Sequence, residues 1–158
     1  MAVYRISLVV VGKLKEQYWR DAQAEYLKRL KNYAKIDIIE VAPEPLSATV
    51  PPAQSIELEG SRLLKAIPAD AAVVALNVKG KAIDSAVLAE RCREWGGDGT
   101  RVAFVVGGAA GIAPAVLERA RFSLSLSTMT FTHELARIVL LEQIYRAMTI
   151  TAGKTYHY

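Results

Sequence analysis

At 158 residues, 52% hydrophobic and 23% charged, the chain can bury a core as one domain and is too apolar to stay disordered. With no run of about eighteen apolar residues, it is not expected to cross a membrane. One cysteine excludes an internal disulfide and agrees with a reducing cytoplasm, and with two histidines it forms no metal-ligand cluster, so a metal-free protein is expected.

The net charge of +4 is unevenly spread. Residues 1–35 carry eight Lys/Arg against three acids, residues 36–60 carry five acids and no base, and from Arg121 onward four bases face two acids. Basic segments at both ends suit a polyanion if they meet in space; a solvated lysine-rich helix face is the plainer reading.

In chain order, Tyr4–Val11 is an apolar, β-branched run, as expected of a strand covered on both faces. It reads as a first strand and not as a secretion signal, because no small-residue cleavage site follows. Residues 16–33 repeat Trp19, Ala22, Tyr26, Leu30 and Tyr33 at helical spacing, and residues 36–41 form a second short strand. The prolines of residues 43–52 predict a long, mobile loop. Residues 54–67 read as a helix, 71–78 as a buried strand, and Lys79-Gly80-Lys81 as a turn. Asp84 or Ser85 can cap a helix to about Trp95, on whose inner stripe Cys92 reads as a small packed hydrophobe. Residues 101–106 form another strand, 113–120 a short helix with Pro114 in its first turn, and 122–126 a last strand. Residues 133–150 form a long helix that is apolar around much of its circumference, which points to a partner subunit and hence a homodimer.

Strands separated by helices predict an α/β domain over residues 1–158, with a mostly parallel sheet flanked by helices. Ligands of such sheets bind beyond the carboxyl ends of the strands, where Leu76, Gly107 and Leu126 are expected to gather. The glycines at 107, 108 and 111 lack dinucleotide-fingerprint spacing, no Gly-Lys-Ser/Thr marks a phosphate loop, and no GxSxG elbow holds a nucleophile. A pocket lined by backbone amides remains, suited to an adenine-containing ligand held without phosphate clamps.

GGAAG at 107–111, SLSLSTMTFTHELARIVLLEQIYRA at 123–147 and the terminal Tyr156-His157 carry a family resemblance, continued upstream by VVGKLKEQYW, YLKRL, IDIIEV and LNVKGK. Together they resemble the rRNA large subunit methyltransferase H family of the SPOUT class. The resemblance implies a deep trefoil knot in the C-terminal segment, a homodimer, and S-adenosylmethionine-dependent methylation of N3 of a pseudouridine in large-subunit ribosomal RNA. It implies action on ribosomal particles in the cytoplasm.

Cofactor contacts carry over to Leu76, Gly107, Leu126, Ser127, Thr128, Met129, Thr130 and Phe131. Leu76 and Leu126 would sandwich the adenine, and glycine at 107 would allow close approach to the ribose and methionine parts. For the substrate side the candidates are His133, Arg137, Tyr156 and His157. His133 can act as a base or as a helix-terminal structural residue. Arg137 can neutralise charge, or form a salt bridge with Glu134 or Glu142. The chain departs from the family pattern at Thr132, where relatives carry proline, at Ala110, and at Tyr158, where relatives carry a base. An RNA- or ribosome-binding protein that keeps the fold without catalysis is the alternative, and a flavodoxin-like nucleotide binder is a third.

Overall fold

The computed structural model describes residues 3–156. Its elements are β1 (Tyr4–Val11), α1 (Gln17–Leu30), β2 (Ala34–Val41), α2 (Pro52–Ala66), β3 (Ala72–Ala82), α3 (Ser85–Gly96), β4 (Val102–Val106), α4 (Pro114–Arg119), β5 (Phe122–Ser125) and α5 (His133–Thr151). The strands pair in parallel in the order β2-β1-β4-β3-β5. Period-two alternation along these strands feeds two cores. Ile6, Leu8 and Val10 of β1, Val74 of β3 and Phe104 of β4 face α1, α3 and α5. Val9 and Val11, Val73 and Ala75, and Ala103 and Val105 face α2 and α4. The result is the expected mostly parallel α/β sheet, covered on both faces, and this covering accounts for the continuous apolar runs of β1 and β4.

The boundaries that moved have local causes. α2 begins at Pro52, inside the segment expected to be loop, because Pro51 takes the N-cap and Pro52 a first-turn position, where a missing N–H is harmless. The start of the proline-rich segment is tethered: Glu44 N–H donates to Glu59 Oε2 at 3.0 Å, and Arg62 pairs with Glu44 at 2.8 Å. Asp84 is the cap of α3, accepting from Val87 N–H at 2.8 Å, while Ser85 Oγ donates to Gln143 Oε1 at 2.6 Å and ties α3 to α5. β3 does not stop at Val78. It continues to Ala82 through an irregularity in which Leu124 of β5 pairs with both Leu76 and Lys81.

The apolar circumference of α5 is largely used within the chain. Leu140, Leu141, Ile144, Ala147 and Met148 are buried, and α5 packs against α1 and α3 as well as against β4. Two apolar stripes therefore do not by themselves require a partner, which corrects the argument from circumference. A third line along α5, Leu135, Val139 and Ile150, stays partly or fully exposed.

Cys92 is buried, as expected, and burial pushes its thiol up to about 12. The neutral thiol is the form the fold stabilises, so this contribution is complete below the unfolded pKa near 9.0 and is lost as pH rises towards 12. Native protein at pH 8 is expected to resist iodoacetamide until denatured, and Cys92→Ala should flatten the fall in stability above pH 9. Rapid alkylation of the folded protein would show the thiol to be accessible.

Candidate functional site

At the carboxyl edge of the sheet, β4 ends in the buried Val106 and the chain turns at Gly107. Gly111 N–H donates to the Gly108 carbonyl at 3.1 Å, and Gly111 adopts φ +116°, which favours glycine. A Cβ on Gly107 would stand 2.5 Å from the Gly111 carbonyl oxygen, so the turn closes on itself too tightly for any side chain there. Beside it, residues 77–80 leave the β3–β5 ladder, and Gly80 lies so close to β5 that a Cβ would be 2.7 Å from the Ser123 carbonyl oxygen.

Beyond β5, hydroxyl groups organise the entry to α5. Ser125 Oγ donates to the Ser127 carbonyl at 2.9 Å, Ser127 Oγ accepts from Met129 N–H at 3.0 Å, and Thr132 caps α5 by accepting from Leu135 N–H at 3.3 Å. Where relatives are expected to carry proline, Thr132 fixes the turn through this cap.

These segments and the first turns of α5 enclose a cavity of about 370 Å³. Seven of the eight expected cofactor residues line it: Leu76, Gly107, Leu126, Ser127, Met129, Thr130 and Phe131. Thr128 does not. Leu76 reaches the cavity from the point where β3 bulges away from β5, and not from a strand end. Apolar walls with a few backbone polar groups suit a flat, neutral heterocycle better than a phosphate. Asn77, Val78 and Lys79 also line the cavity, although Lys79-Gly80-Lys81 reads in sequence as an ordinary turn. Met129 stands 74% exposed.

The four substrate-side candidates part company. His133 lines the cavity from the first position of α5, with Nε2 2.9 Å from Glu134 Oε1. Arg137 does not line it. This side chain is 1% exposed and donates to Glu40 Oε2 at 2.9 Å, to the Gly12 carbonyl at 2.9 Å and to Gln23 Oε1 at 3.4 Å. Its ion-pair partner is thus Glu40 of β2, and not the expected Glu134 or Glu142. Tyr156 packs edge-on against Tyr145 and lies 4.1 Å from the Arg146 guanidinium, outside the cavity of its own chain. Burial raises the Tyr156 pKa, with the nearby Glu142 carboxylate adding to the effect. His157 lies outside the described residues.

No helix of the described residues is long and apolar enough to cross a membrane, and no group of three or more His, Cys, Asp or Glu among them could hold a metal ion.

The family described as "Predicted SPOUT methyltransferase" matches residues 4–157. The ribosomal RNA large subunit methyltransferase H of Bifidobacterium animalis subsp. lactis is 50% identical over 157 residues, covering 96% of this chain and 98% of the relative. The protein of the same name from Bacillus pumilus is 47% identical over 161 residues, covering 96% and 98%, and that from Clostridium botulinum is 46% identical over 158 residues, covering 96% and 98%.

Proposed function

The chain belongs to the SPOUT methyltransferase family, and from that membership we propose that it methylates N3 of a pseudouridine in large-subunit ribosomal RNA, with S-adenosylmethionine as donor. The observation that carries this reading is that Leu76, Gly107 and residues 126–131 bound one cavity, with Thr128 alone missing from its lining. The residues fit the donor. Leu76, Leu126 and Phe131 offer apolar walls to an adenine ring, the backbone of residues 127–131 offers polar groups to its edge, and Gly107 carries no side chain to obstruct the approach. When bound, S-adenosylmethionine supplies a methyl carbon made electrophilic by its sulfonium.

The chain's own part is to orient the acceptor and to take its N3 proton. His133 is the candidate within the cavity wall. Its Nε2 lies 2.9 Å from Glu134 Oε1, and an imidazole nitrogen in the wall is the type of group that takes such a proton. Cations near the cavity suit the RNA backbone. Lys79 is part of the lining, and exposed Lys13 and Lys15 extend from Gly12, where a Cβ would lie 3.9 Å from His133 Nε2. Tyr156 and His157 are proposed as substrate-side elements on their resemblance to the family's terminal Tyr-His. A homodimer acting on ribosomes in the cytoplasm completes the reading, supported by the uncovered Leu135–Val139–Ile150 line of α5. The resemblance also carries the trefoil knot.

The test is methyl transfer. Ribosomes from cells lacking the gene are incubated with the protein and isotopically labelled S-adenosylmethionine, and the RNA is mapped by mass spectrometry. One labelled pseudouridine in large-subunit RNA is expected. A protein that binds the donor but labels no ribosomal RNA overturns the substrate reading.

A further inference from the structure

A buried carboxylate stands behind the glycine turn and takes no part in the chemistry above. Glu59 lies on the inner face of α2, 5% exposed. Its Oε2 accepts the Glu44 N–H at 3.0 Å, whereas Oε1 has no hydrogen-bond partner among the described residues. A Cβ on Gly108 would lie 2.8 Å from Oε1 and 3.0 Å from Oε2, so the carboxylate abuts the Gly108 backbone, and Gly108 lines the cavity. Arg62, one turn along α2, is engaged by Glu44 Oε2 at 2.8 Å and the Ala42 carbonyl at 3.1 Å. Arg62 is thereby engaged away from Glu59. A buried acceptor without a donor destabilises a fold, and such groups persist where function uses them.

Resting on the cofactor reading above, we propose that Glu59 is a specificity-determining residue that makes the pocket favour the sulfonium cofactor over the thioether product. S-adenosylmethionine and S-adenosylhomocysteine share a shape apart from the methyl group, but only the sulfonium form carries a net positive charge. When the methyl passes to N3 and the N3 proton to a base, sulfur keeps the bonding pair and becomes neutral. A carboxylate one glycine behind the wall, in a water-poor interior, attracts the sulfonium and gains nothing from the thioether, the ammonium and carboxylate being common to both ligands. Transfer thus removes the attraction that held the donor, and the product leaves in favour of fresh cofactor. A side chain at Gly108 would have to displace the same carboxylate.

The test is calorimetric titration of the full-length wild type, Glu59→Gln and Glu59→Asp with each ligand separately. Glu59→Gln is expected to weaken S-adenosylmethionine on the order of tenfold or more and to leave S-adenosylhomocysteine within about twofold, because the lost charge acts on the sulfonium that only the donor carries. Glu59→Asp should keep the wild-type ratio. Ser55→Ala, which removes a neutral, unpartnered hydroxyl one turn earlier on the same buried face, should shift neither ligand. Equal weakening of both ligands by Glu59→Gln, or no change, overturns the proposal and leaves Glu59 as a structural wedge, with the cofactor reading intact. Wild-type protein that binds neither ligand overturns the cofactor reading itself. Should Glu59→Gln fail to fold, wild-type protein is titrated with the analogue carrying a protonated amine in place of the sulfonium. Tighter binding of that analogue than of S-adenosylhomocysteine supports the proposal, and equal or weaker binding overturns it.

Discussion

Gly107→Ala is expected to weaken S-adenosylmethionine binding by roughly 5- to 150-fold, the range that 1–3 kcal/mol of overpacking strain produces. The sequence-level reason for glycine here is ligand approach. The structure adds a closer constraint. The new methyl would stand 2.5 Å from the Gly111 carbonyl oxygen, 3.0 Å from its carbon and 3.2 Å from Ile112 Cα, all backbone. Backbone cannot swing aside as a side-chain tip can, so the turn must open and its cavity wall must shift. Gly108→Ala meets only the end of the Glu59 side chain, at 2.8 Å, and a smaller loss is expected. Because the strain falls on the turn between β4 and α4, the melting temperature should fall by only a few degrees in either variant. Titration calorimetry beside thermal denaturation checks this. Wild-type affinity in Gly107→Ala would mean that the turn does not shape the ligand site.

Much of the scaffold was legible because its cause is local. The continuous apolar runs of β1 and β4 and the helical spacing of Leu141, Ile144 and Met148 are properties of short windows, and each became the element it predicted. The cavity was legible for a different reason: GGAAG and the Ser/Thr run carried a family resemblance, and the geometry then brought their residues together. What escaped depends on partners far away in the chain. Nothing in Lys79-Gly80-Lys81 announces that β3 resumes after it, since only pairing with β5 sets Leu124 opposite both Leu76 and Lys81. Glu59 reads as one charge on an amphipathic helix until the turn at Gly108 closes over it. Arg137 is the plainest case. Helical spacing suggested Glu134 or Glu142 as its partner, but its acceptors on Glu40 and Gly12 lie 97 and 125 residues away.

That network makes Arg137→Ala the most destabilising single change expected here. The guanidinium joins four elements: it projects from α5 and binds Glu40 of β2, Gln23 of α1 and the Gly12 carbonyl that ends β1. Gly12 itself takes φ +83°, and its carbonyl is held by the arginine. Truncation leaves a buried carbonyl without this donor, a carboxylate without its cation and a cavity where a long side chain stood. The loss should be about 3 kcal/mol, at the low end for a broken buried pair because Glu40 keeps a water-exposed side and can rehydrate. Arg137→Met, which refills the volume without the charge, should recover part of it, and Glu40→Gln should cost less than either. Urea denaturation measures all three. The decisive comparison is with function at a temperature where each variant stays folded. As a brace outside the cavity, Arg137 can be removed with donor affinity kept within about threefold. A variant with normal stability and normal donor affinity but no methyl transfer would reverse this assignment, and would return Arg137 to the substrate side as a charge that the RNA or the reacting base requires.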